Sequence, residues 1–130
     1  MTDTYIFLIR ESDWDSDRFL PGGEPASQQE MADQFGAHKA FQEAVAELGA
    51  RLVGGEALQS AKHGGVVTPG KDEAKVDDAV YTDSPYADSS ELITGFYAVE
   101  TDDVEIAKKL AALVPTGGTI EWRKVFPIGG

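Results

Sequence analysis

The sequence contains no cysteine, which removes disulfides, thiolate metal ligands and thiol nucleophiles together. Basic residues are scarce: eleven Lys and Arg stand against 23 Asp and Glu, a formal net charge of -12. Neutralising phosphates takes clustered Lys and Arg, and those present are scattered, so nucleic acid is not an expected partner. Long apolar runs are also missing. The longest near the start, Tyr5-Ile6-Phe7-Leu8-Ile9, falls far short of the ~20 residues of a membrane helix. It is too short for the apolar part of a secretory signal, and acidic Asp3 precedes it instead of a basic segment. No membrane partner is expected. With neither cysteine nor a targeting segment, the chain suits the cytoplasm, and its acidity is accounted for by solubility.

What is present fits one domain. The 130 residues suffice for a single core and are too few for two, so residues 1–130 read as one unit. Thr4 to Arg10 is a continuous β-prone run, which predicts a central strand buried on both faces. A polar excursion follows from Glu11 to Pro25. Its Asp13, Asp15, Asp17 and Glu24 fall at positions 1, 3, 5 and 12 of a calcium loop. The sixth position, where such a loop needs glycine, is Arg18, and a strand precedes it in place of a helix. A mobile acidic loop, a candidate lid, is the better reading, and no metal is expected.

Ser27-Gln28-Gln29-Glu30 has the form of a capping box, predicting a helix from Gln28 to Leu48 closed by Gly49. Met31, Phe35, Phe41, Val45 and Leu48 share one face of it, and His38 projects from that same face. Gly36 costs this helix roughly 1 kcal/mol against alanine. Ala50 to Leu58 reads as a strand broken at Gly54-Gly55, where a bulge or a close backbone approach is expected. Lys62-His63-Gly64-Gly65 is turn chemistry. Val66 to Thr68 and Val76 to Tyr81 read as short strands, and Gly95 to Thr101 as a longer one. Asp102 caps a second helix with Glu105 at its third position, and Pro115 ends it after Val114. Thr119 to Phe126 alternates as a last strand.

The order β-α-β-β-β-β-α-β predicts an α+β fold: a ferredoxin-like split βαβ antiparallel sheet with both helices on one face. The other face is then uncovered. Strands this apolar do not leave such a face in water, so a second copy is expected to cover it, making a homodimer.

One stretch exceeds what a hairpin needs. Asp83-Ser84-Pro85-Tyr86-Ala87-Asp88-Ser89-Ser90-Glu91 holds three carboxylates, a proline and an aromatic in nine residues, against about two to five for an ordinary hairpin link. Together with Gly95-Phe96-Tyr97 it resembles the DGPF-type motif of the YCII-related proteins. There the pattern runs Asp-Gly-Pro-Phe-Ala-Glu-Thr-Lys-Glu and leads to a Gly-aromatic-aromatic strand. Asp83, Pro85, Ala87, Glu91 and Gly95 agree, while Ser84, Tyr86, Asp88, Ser89 and Ser90 depart. Gly49 to Leu58, the helix opening at Asp102, and Glu121-Trp122-Arg123 are also similar, although Lys124 stands where the family usually has proline. The likeness covers most of the chain after Met31.

The resemblance implies a dimeric α/β-barrel built on the ferredoxin-like plan, with a pocket beside a His–Asp pair. His38, eleven residues before Gly49, and Asp83 match the placing of that pair. A carboxylate accepting from one imidazole nitrogen fixes the tautomer and makes the other more basic. Such a pair suits proton transfer on a small organic substrate, of lyase, isomerase or dehalogenase type, without a cofactor. Pro85, Tyr86 and Arg123 are the candidate substrate-binding residues. Each has a plainer alternative: His38 as a satisfied core histidine, Asp83 as the start of an Asx turn, Tyr86 as a loop anchor, and Arg123 as half of a surface ion pair. His63, Ser89 and Ser90 read as solvated turn or loop residues. The resemblance also implies a second function class, a non-catalytic accessory module linked through protein contacts to transcription by alternative sigma factors.

Overall fold

A computed structural model describes residues 2–12, 25–59, 63–71, 76–82 and 92–127, with backbone alone for 25–28. Strand β1 (Asp3–Glu11) is followed by helix α1 (Pro25–Glu47) and strand β2 (Arg51–Ala57). Two short strands come next, β3 (Val66–Thr68) and β4 (Val80–Thr82), and then β5 (Leu92–Thr101), helix α2 (Val104–Leu113) and β6 (Thr119–Lys124). The main sheet has the order β2-β5-β1-β6, and every neighbouring pair is antiparallel. β1 and β2 are joined through α1 with β5 inserted between them. The chain is therefore α+β, with a four-stranded antiparallel sheet and two helices compatible with the ferredoxin-like plan. Among the described residues, β3 and β4 pair only with each other, in a two-stranded sheet.

The two-residue period of a strand decides what is buried. Tyr5, Phe7 and Ile9 of β1 point to the helices and lie in the core with Val99, Phe41, Val45, Ala107 and Leu110. Their neighbours Ile6 and Leu8 point the other way and are half-buried, as are Phe96 and Ala98 directly across from them on β5. Ile93 on this open face is 46% exposed. Ion pairs fringe it: Arg51 with Glu100 at 2.9 Å, and Arg10 and Arg123 with Glu121 at 3.2 and 3.4 Å. Exposed pairs of this kind stabilise little, about 0–1 kcal/mol each. β1 is central as its sequence predicts, but within one chain the helices bury one of its faces, not both.

Local signals succeed where their partners are close in sequence. Gly49 has φ 75°, and the amides of Gly49 and Ala50 bond the carbonyls of Ala46 and Val45, both at 3.0 Å, closing α1 with the expected Schellman turn. The bulge expected near Gly54 is present, between Leu52 and Gly54. Other boundaries move. α1 starts at Pro25, a residue whose fixed φ suits a first helical turn, so Ser27 lies inside the helix and does not cap it. Asp103, not Asp102, caps α2: its Oδ1 accepts from the Glu105 amide at 2.9 Å. The hydroxyl of buried Thr101 holds the Asp103 amide at 3.2 Å, which sets the turn one residue later. Val76–Asp78 is a turn of 3-10 helix, since consecutive acidic residues suit a strand poorly. β5 begins at Leu92, earlier than expected, and β6 stops at Lys124, leaving Phe126 exposed. The predicted apolar face of α1 splits as well. Phe41 and Val45 are buried, while Phe35 is 63% exposed.

Candidate functional site

His38 lies one helical turn before Phe41 on α1, so both face the sheet. Tyr97 of β5 stands directly across from Phe7, which places it on the same, helix-covered side. Its ring is 4.7 Å from that of Phe41 and 5.7 Å from that of His38, between centroids. The Tyr97 hydroxyl and His38 Nδ1 are 2.5 Å apart. A neighbouring glycine makes room for this ring. A Cβ on Gly55, the cross-strand partner of Tyr97 on β2, would sit 2.7 Å from Tyr97 Cδ1 and 3.0 Å from the Phe96 carbonyl oxygen. This is the close backbone approach that the Gly54-Gly55 pair predicts.

Glu11 ends β1, two residues beyond Ile9 and on the same side. Its Oε1 accepts from the Thr116 hydroxyl at 2.7 Å, and Thr116 in turn accepts from the Gly118 amide at 3.0 Å. Gly118 is also sterically required: a Cβ there would fall 1.9 Å from the Arg10 carbonyl oxygen. The segment after α2 is thereby drawn against the end of β1. Thr116 also rims an open depression of about 440 Å³ lined by Ala111, Val114, Gly118 and Ile120. His38 does not line that depression.

Burial holds the His38 imidazole below its ordinary value of 6.5, partly opposed by the negative charge of Glu11. Burial also raises the Tyr97 phenol above 10.0. Both rings are therefore neutral near pH 7. This has a consequence for stability. As pH falls, the unfolded chain binds a proton at His38 before the folded chain does. The contribution is level above about pH 6.5 and turns unfavourable as pH drops toward the folded pKa. Urea midpoints at about pH 7.5 and about pH 5.5 should fall less in His38→Gln than in the wild type. An equal fall in both proteins would contradict the assignment.

Of the residues singled out by sequence, His38 alone is placed at this cluster. Asp83, Pro85 and Tyr86 lie outside the described residues, as do the acidic positions Asp13, Asp15, Asp17 and Glu24. Arg123 pairs across the sheet with Ile6 and so lies on the open face, its side chain 74% exposed and bonded to Glu121. The sheet separates it from His38. Tyr97, which the sequence offers only as the last residue of the Gly95-Phe96-Tyr97 motif, is not among the candidate site residues read from sequence, and neither are Glu11 and Thr116. Tyr97 reads as one more core aromatic of a strand, and Glu11 as the first residue of a loop. Among the described residues, no group of three His, Asp or Glu could hold a metal ion, and no helix is long and apolar enough to cross a membrane.

The cluster offers a neutral imidazole, a phenol and a nearby carboxylate against an aromatic wall, a set able to bind a polar ligand and relay a proton. No protein-family model matches the chain, and no curated protein matches it.

Proposed function

We propose that this chain is a cytoplasmic, YCII-related domain that binds a small organic molecule and performs acid–base chemistry on it with His38 and Asp83 as its two catalytic groups. The observation that carries the proposal is the His38–Tyr97 contact. A neutral histidine enclosed in a core needs partners for both ring nitrogens, one donating and one accepting. Here the ring is half-buried at the border of the core, bonded to a tyrosine, and within range of the Glu11 charge. Perturbed titratable groups gathered in this way are a mark of functional sites. The split βαβ sheet is in keeping with the same family reading.

The proposal includes a homodimer. Its support is the open face, where Ile6, Leu8, Phe96 and Ala98 are only half-buried and Ile93 is exposed. A contiguous apolar sheet face is a surface that monomers seldom present to water.

A ligand-shift NMR screen against a metabolite library tests the function. Bound compounds should perturb His38 and Tyr97, and affinity should fall at least about tenfold in His38→Gln, which is 1.4 kcal/mol. Any turnover found should drop by about 10²–10⁴, the usual contribution of a general acid or base. Hits that ignore the substitution, or no hits at all, would leave the non-catalytic module in its place.

A further inference from the structure

We infer that Tyr97 locks the tautomer of His38, its hydroxyl donating to Nδ1, so that the ring presents Nε2–H and the site takes small uncharged molecules through a carbonyl-type oxygen. The inference rests on the ligand-binding role proposed above for His38 and adds to it the direction of the hydrogen bond and the class of ligand.

The direction follows from acidity. Either group could donate across this contact, because both carry a proton when neutral. The phenol is the stronger acid of the two neutral donors, and the imidazole nitrogen is much the better base, with an ordinary pKa near 6.5. The arrangement Tyr O–H to Nδ1 pairs the better donor with the better acceptor. Burial reinforces it by keeping both rings neutral. Packing holds it in place. Phe41 lies against one side of the Tyr97 ring at 4.7 Å, and the Gly55 backbone closes the strand side. Tyr97 therefore acts on a ligand through His38, as a positioning residue.

The ligand class follows from charge. Nε2–H is a neutral donor, so it suits a lone-pair oxygen such as that of a ketone, aldehyde, ester or amide. A carboxylate or phosphate would accept the same bond. It would also meet the negative charge of Glu11 close by, in a chain of net charge -12, with no formal positive charge on the imidazole to offset it. None of the described contacts of His38, Tyr97 or Glu11 brings in a lysine or arginine. Discrimination against anions is the expected result.

The test uses the full chain labelled with ¹⁵N, observed above the His38 titration. The wild type should show protonated Nε2 and a hydrogen-bonded, unprotonated Nδ1. In Tyr97→Phe, which keeps the ring against Phe41, Nδ1 should move to an unbonded position or the second tautomer should appear. Protonated Nδ1 in the wild type, or an unchanged Nδ1 in the variant, overturns the lock. The wild-type measurement decides the tautomer even if the variant fails to fold. Cyclopentanone and cyclopentanecarboxylate then serve as probes of equal ring size. The ketone should shift the Nε2–H signal with at least about tenfold tighter binding than the acid, equivalent to 1.4 kcal/mol. Equal or tighter binding of the acid, or no response to either, overturns the ligand class. Such a failure is separable from failure of the proposed ligand binding at His38, which the His38→Gln screen decides by itself.

Discussion

Replacing Phe7 with alanine is expected to lower stability by about 3–5 kcal/mol, the range for removing a buried phenylalanine. Phe7 is fully enclosed in the central strand, with Tyr97 directly opposite on one neighbour and Trp122 on the other. The substitution empties the middle of the core, and the flanking strands cannot close the gap without breaking their ladders with β1. Single domains of this kind are stable by only about 5–15 kcal/mol, so much of the margin would be lost. The measurement is a urea midpoint shift at unchanged slope. A loss below about 1 kcal/mol would mean that the core collapses around the site, which a well-packed interior does not readily do.

The second large effect concerns the proposed dimer. At micromolar concentration, sedimentation should give a particle of twice the 13.9 kDa chain mass, and Phe96→Asp should return the mass of one chain. A two-fold interface applies the same patch twice, so one substitution buries two carboxylates in apolar surroundings. Desolvating an unpaired charge costs several kcal/mol, more than a modest interface can offset. Because Phe96 faces away from the helices, the fold of each chain should survive. A wild-type mass of a single chain would end the dimer proposal, and with it the reading of the open face.

How far the fold could be read from the sequence depended on the reach of each signal. The Schellman turn at Gly49, the bulge by Gly54 and the helix end before Pro115 are local, each decided by a few adjacent residues. Their sequence signatures and their geometry agree. The cap of α2 shifted by one residue because the buried hydroxyl of Thr101 holds the Asp103 amide, a contact that sequence spacing does not reveal. The apolar face of α1 was legible as a pattern, yet only its C-terminal part meets the core: Phe41 and Val45 are buried and Leu48 packs against them, while Phe35 stays exposed. Periodicity states which residues share a face. It does not state how far along the helix a partner extends.

The same division runs through the candidate site. Sequence by itself determined the chemistry on offer: no thiol, few cations, one histidine on the sheet-facing side of α1, and an α+β order of elements. It also supplied the motif-bearing stretch from Asp83 to Glu91, which lies outside the described residues. Tertiary structure alone decided the company His38 keeps. Tyr97 lies 59 positions away in the chain and reaches His38 because β5 inserts between β1 and β2. Arg123, a candidate site residue in one dimension, went to the opposite face because register with Ile6 put it there. Strand pairing assigns side chains to faces in alternation, so a single residue of register decides which side of a sheet a group serves. No local pattern carries that information.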